Sequence, residues 1–324
     1  MRLIQLDPSL ADPERVVRNL RFSTDGRSLA AVLGKPDSGR RVVVRYHLGR
    51  DVGTVVPEPS DEDENREDGP DPAASPDLEL VAEVLADYAG YDRVRLTDTW
   101  AKPPEVVELP SVGDGMAVTA VGFAAGGEHL LVGLAGGEAD ACRVLRWDVG
   151  KLLDGDDPAD ALLDPVPLAD GTEPVAFADS GRWLAVGTSQ GAAVLFDLTG
   201  TRRPLTVTAV GRRRRVSQLG FSPDGRRLVT CGTTTVVVWD VASGDELARV
   251  AGPAALTGFA FTPDGQHLLT SSADGTVCRF DTTDFALADR LAWGLGPLHS
   301  VAVAPDGLTA AAGGDAGRVV VWDV

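Results

Sequence analysis

The residue types that could do chemistry are scattered through this 324-residue sequence. His47, His129, His267 and His299 share no spacing that would gather them around a metal. His129 and His267 each stand just before a leucine, at a repeat position also held by Arg227 and Ser28, which marks a solvated site. Cys142, Cys231 and Cys278 form no C-x-x-C motif, so buried thiols in a reducing compartment are expected. Gly136-Gly137 and Gly313-Gly314 fall where a turn alone explains glycine, and no stretch matches a phosphate-binding loop. Most carboxylates sit in turn sequences, where an aspartate caps backbone amides. No nucleophile lies at a defensible spacing from a base. The expectation is no catalytic residue, no metal and no cofactor. Two features rise above this background. Arg212, Arg213, Arg214 and Arg215 form an unbroken cationic run, and Trp183 and Trp293 occupy places that are otherwise polar. Exposed tryptophan often anchors an interface. The four arginines and Trp293 are therefore the candidate binding residues, whereas Trp183 is expected to pack on a neighbouring loop.

The elements that must carry these residues are short strands. Val216–Val241 reads as three of them: alternation to Phe221, a Ser-Pro-Asp-Gly turn, Leu228–Cys231, a second turn, and a β-branched run ending in Trp239-Asp240. The pattern recurs. Its turns are Phe22–Gly26, Phe123–Gly127, Phe177–Gly181, Phe221–Gly225, Phe261–Gly265 and Val303–Gly307, spaced 101, 54, 44, 40 and 42 residues apart. Each copy closes on an aromatic and a polar partner: Tyr46-His47, Trp147-Asp148, Phe196-Asp197, Trp239-Asp240, Phe280-Asp281 and Trp322-Asp323. In a strand the two side chains of each pair face opposite ways. The aromatic is expected to pack between sheets and the aspartate to bond amides in the next turn.

A period near 40 with Trp-Asp closing the third strand resembles the WD40 repeat family along nearly the whole chain. The resemblance implies an all-β fold, a β-propeller of four-stranded antiparallel blades. The 101-residue gap holds two blades once an acidic stretch is removed, which gives seven, with six as the alternative. The second blade is degenerate: Leu78–Ala86, Arg93–Thr97 and Glu105–Leu109 are its strands, and no Ser-Pro-Asp-Gly turn is evident. The last copy ends at its third strand, and in this family the N-terminus supplies the missing one; Arg2–Leu6 is the candidate. Many WD40 repeats also carry a Gly-His pair whose histidine joins an internal network. No histidine here follows a glycine, so stability is expected to lean on packing.

Composition bounds the function. The net charge of −18 opposes general binding to nucleic acid or anionic lipid. Residues 57–77 hold nine acids, one arginine and no apolar side chain larger than alanine, and are expected to be a disordered loop. No apolar run suggests a signal peptide or membrane span. Three lysines and one isoleucine against an excess of arginine suggest a G+C-rich bacterial genome. One domain over residues 1–324 is expected: a monomeric, cytoplasmic, non-enzymatic scaffold whose top face takes a protein or peptide, acidic if the arginine run is the contact. The alternative is a propeller enzyme of lactonase or hydrolase type, working from the central funnel.

Overall fold

The computed structural model describes residues 1–6, 14–35, 41–50, 52–55, 70–86, 92–99, 101, 104–110, 115–136, 142–169, 171–208, 215–216 and 218–324. One hairpin turn in it is built repeatedly from the same bonds. The Ser222 hydroxyl donates to Asp224 Oδ1 at 2.6 Å and accepts from the Arg227 amide at 3.0 Å. Asp224 also accepts from the Arg226 amide at 3.1 Å, and Gly225 takes the left-handed φ of 67° that closes the turn. Ser23 with Asp25, and Thr262 with Asp264, repeat the arrangement. The donated hydroxyl is the main reason why Asp25, Asp224 and Asp264 are held below the usual carboxylate range.

The second blade contains this turn as well, contrary to the sequence expectation. Ser75 donates to Asp77 at 2.5 Å and accepts from the Leu80 amide at 3.0 Å. Leu78 stands where the other turns have glycine and takes φ 64°. A left-handed leucine costs about 1–2 kcal/mol. Leu78 is 3% exposed, and burying a leucine contributes about 1.5–3 kcal/mol, so burial outweighs the strain. The expected disordered stretch is corrected at its C-terminal end: Ala73–Ala74 is the first strand of this blade, and residues 75–78 are its turn. Residues 57–69 of that stretch lie outside the described residues.

Seven four-stranded antiparallel sheets follow one another, so the fold is a seven-bladed β-propeller and the six-bladed alternative falls. Blade 1 comprises Val16–Phe22, Ser28–Gly34, Arg41–His47 and Val52–Val55. Blade 2 comprises Ala73–Ala74, Leu80–Ala86, Asp92–Asp98 and Glu105–Glu108. Blade 3 has Met116–Ala124, His129–Gly136, Arg143–Asp148 and Leu162–Pro167, with short helices Val149–Leu153 and Pro158–Ala161 before its fourth strand. Blade 4 has Pro174–Asp179, Trp183–Thr188, Ala192–Asp197 and Leu205–Thr208. Blade 5 has Gln218–Phe221, Arg227–Cys231, Thr235–Asp240 and Glu246–Ala251. Blade 6 has Leu256–Phe261, His267–Ser272, Thr276–Asp281 and Leu287–Ala292. Blade 7 has Leu298–Val303, Thr309–Gly314 and Arg318–Asp323, and its fourth strand is Arg2–Gln5 from the other end of the chain.

By internal contacts the chain forms two compact units, residues 1–58 with 220–324, and residues 59–219. Within the first, Arg2 pairs with Val321 and Gln5 with Arg318, while Ile4 and Leu6 are buried in the blade 1–blade 7 core. Ser300 donates to the Val17 carbonyl at 3.0 Å, and Gly313 lies so close that a Cβ there would sit 2.4 Å from Val17 Cγ1. Within the second unit, Thr119 donates to the Pro174 carbonyl at 2.6 Å, and Asp179 accepts from the Ala125 amide at 2.6 Å. The third-strand aromatics Tyr46, Trp147, Trp239, Phe280 and Trp322 are buried, and Phe196 is half-buried. Asp148, Asp197, Asp240 and Asp281 each accept amides of the following turn.

Blade 4 departs from the sequence alignment. In blades 1, 3 and 6 the residue paired with the second-strand leucine is Phe22, Phe123 or Phe261. In blade 4 it is Asp179, paired with Leu184, and Phe177 faces Val186 instead. The hairpin from first-strand partner to leucine therefore spans five residue steps here against seven in blade 1, and the Trp183 carbonyl accepts from the Ser180 amide at 3.0 Å.

Candidate interaction surface

Strand pairing places one side chain in each of blades 1, 3, 4, 6 and 7 in an unusual position. The ladder between first and second strands skips a residue at Arg18, Thr119, Val175, Thr257 and His299. The corresponding part of blade 5 includes residue 217, which lies outside the described residues. Such a bulge leaves the extra residue out of register and re-aims its side chain. The bulged side chains differ in chemistry: His299 Nε2 lies 2.7 Å from Asp315 Oδ1, and the Thr257 hydroxyl lies 2.9 Å from that of Ser271. Thr119 makes the contact to Pro174 noted above. In the first unit, Asp315 also bridges to Val16, which sets the His299 pair beside the start of blade 1. Sequence reading missed these residues because a bulge breaks the alternation it relies on. The available signal is a constant offset of four residues before the turn position, as from Arg18 to Phe22 and from Thr257 to Phe261.

The candidates named from sequence fare differently. Arg212, Arg213 and Arg214 lie outside the described residues, while Arg215 is exposed beside the buried Val216, whose amide donates to the Thr188 carbonyl at 3.2 Å. Trp293 is half-buried rather than fully exposed. Its ring centroid lies 4.6 Å from that of Trp322, and it packs on the cluster of Leu295, Leu298 and Val320. An indole has too much apolar area to stay in water when such a surface adjoins it. Trp183 is buried, with the Arg182 and Arg202 guanidiniums 5.5 and 6.0 Å from its ring centroid. Trp239 Nε1–H donates to Thr230 Oγ1 at 3.0 Å in a buried pair, a polar link inside blade 5 without a histidine. No group of three metal-ligating side chains occurs among the described residues. Among them no helix is long and apolar enough to cross a membrane.

Comparison with known proteins agrees with this geometry. The profile of the family described as Nucleolar protein 10-like, N-terminal domain, a β-propeller, matches residues 168–280. An uncharacterized WD repeat-containing protein of Synechocystis is 28% identical over 182 residues, 55% of this chain and 47% of that protein. The WD repeat-containing protein 26 homolog of Arabidopsis thaliana is 30% identical over 109 residues, 32% of this chain and 18% of that protein. The chain belongs to the WD40 repeat family. A third relative, the U3 small nucleolar RNA-associated protein 15 homolog of Gallus gallus, is 31% identical over 152 residues, 46% of this chain and 28% of that protein. This WD40 chain thus spans less than half the length of each of the three relatives.

Proposed function

We propose that this WD40 propeller is a non-enzymatic scaffold that binds a protein or peptide through the end of blades 1, 6 and 7 that carries the bulged residues Arg18, Thr257 and His299. The observation that carries the reading is the recurrent bulge. It repeats one backbone device while the side chain it aims changes from arginine to threonine, valine and histidine. A constant frame with variable display suits recognition, whereas catalysis calls for convergent groups of defined roles. The kinship with WD repeat-containing proteins supports an interaction or assembly role. One relative is named as associated with small nucleolar RNA, which makes RNA the competing ligand. The test is cross-linked affinity capture with wild type and with the double variant Arg18→Glu/His299→Glu, followed by mass spectrometry and RNA recovery. The proposal expects a protein that wild type retains and a folded double variant loses. Equal capture by both, or recovery of RNA alone, would overturn it.

A further inference from the structure

Blade 1 ends its third strand on His47, where the other six blades end theirs on an aspartate. Asp98, Asp148, Asp197, Asp240 and Asp281 accept amides from the residues that follow them. In blade 1 the Gly49 amide donates to His47 Nδ1 at 3.1 Å. The imidazole thus takes a carboxylate's place, with one chemical difference. A free carboxyl group stays ionised down to about pH 4, whereas a free imidazole takes up a proton near about pH 6.5 and then has no acceptor nitrogen. With Nδ1 accepting, the neutral ring carries its proton on Nε2.

The hairpin that this bond closes also anchors the strand from the other end of the chain. The Leu48 amide donates to the Arg27 carbonyl at 2.9 Å, and the Arg50 amide donates to the His47 carbonyl at 3.2 Å. The Leu48 carbonyl accepts from Arg2 Nη1 of the closing strand at 3.1 Å, and the Leu48 side chain packs on the core that buries Ile4 and Leu6. Hairpin and closing strand therefore meet at the residue between His47 and Gly49. The charged groups on the elements around His47 in this unit are mostly cations. Arg27 adjoins Ser28, its partner on the second strand; Arg45 and Arg50 lie in its own strand and hairpin; Arg2 lies on the closing strand. Val52, its partner on the fourth strand, is uncharged. Asp25 is the only carboxylate among the described residues of these elements, and it accepts from the Ser23 hydroxyl and the Arg27 amide. Protonation of His47 would remove the cap and add a charge among like charges.

We propose that His47 is a pH-sensitive latch on the closing strand. The neutral ring is the stabilising form, so the latch holds above the free-imidazole range and is lost as pH falls through it. Protonation releases the Gly49 amide, opens the hairpin at Leu48 and loosens Arg2–Gln5. The latch lies at the end of blade 1 away from the bulged Arg18 and does not rest on the function proposed above.

The test compares the full chain with His47→Asp and His47→Asn, both of which keep an acceptor across the imidazole range, by NMR from pH 8 to pH 5.5. The readouts are the Gly49 amide proton, the His47 ring C–H resonances, and hydrogen-exchange protection factors of the closing-strand amides, taken relative to the unfolded rate at each pH. In wild type the Gly49 proton should move upfield in step with the ring. Closing-strand protection should fall by about three-fold or more, the change expected from losing one typical hydrogen bond. In the two variants neither change should occur, so the other histidines are controlled for. Three results would overturn the proposal: a Gly49 amide that ignores the His47 titration, closing-strand protection that stays constant in wild type, or an equal loss of protection in either variant.

Discussion

Ser222 and Asp224 show how one turn couples chain shape to charge. The hydroxyl bond that organises the loop also holds the carboxylate below its usual range, as in the turns of Asp25 and Asp264. A depressed folded value means that the ionised group stabilises the native state. That contribution is complete above the unfolded value of about 3.9 and is lost as pH falls through the lower folded value. Urea midpoints should therefore hold steady from pH 7 down to about 5 and fall increasingly below about 4. In Ser222→Ala the largest cause of the depression is gone, so the acid limb should be shallower than in wild type. Parallel limbs in the two proteins would contradict this account. The hydroxyl-and-aspartate turn is legible in the sequence at Gly26, Gly225 and Gly265, but not at Leu78, where leucine replaces the glycine that marks it.

At the scale of the element, the second strands decide how near two blades can come. Gly313 in blade 7 faces Val17 of blade 1, and Gly187 in blade 4 faces Leu219, where a Cβ would lie 2.3 Å from Leu219 Cδ2. Replacing a strand glycine normally gains about 0.5–1 kcal/mol from reduced chain entropy. Overpacking a tight contact costs about 1–3 kcal/mol, so here the sign should reverse. Gly313→Val is expected to lower stability by about 1–3 kcal/mol, measured by urea unfolding. A neutral or stabilising result would mean that blade 1 yields at Val17. The same scale explains the misplacement of Phe177. Its hydrophobicity and spacing mimic the turn aromatic of the other copies, yet pairing with Val186 shows that the hairpin is two residues shorter.

Across the whole molecule, the chain meets itself at blade 7. Arg2–Gln5 completes that sheet, Arg2 donates to the Leu48 carbonyl at 3.1 Å, and Gln5 donates to the Ala316 carbonyl at 2.8 Å. Ile4 and Leu6 are buried, each contributing about 1.5–3 kcal/mol. Their combined contribution, about 3–6 kcal/mol, is a large part of the 5–15 kcal/mol that holds a typical protein folded. Deleting residues 1–6 also bares the edge of Arg318–Asp323, a row of unpaired backbone groups. The expected outcome is a marked drop in melting temperature with aggregation on heating, followed by calorimetry and light scattering. A deletion variant that melts with wild type would show that this strand is dispensable.

The sequence by itself determined the repeat and the strand-turn-strand grammar, which rest on alternation, turn residues and spacing within a few tens of residues. It favoured seven blades over six, and the family resemblance pointed to Arg2–Leu6 as the closing strand; the strand pairing decided both. Only the tertiary structure decided which side chains leave the register at Arg18, Thr257 and His299, and that Trp293 packs against Trp322. It alone showed that Arg182 and Arg202 share the Trp183 ring. Each of these outcomes depends on the partner strand or hairpin against which a side chain packs, and that partner is fixed by pairing rather than by nearness in sequence.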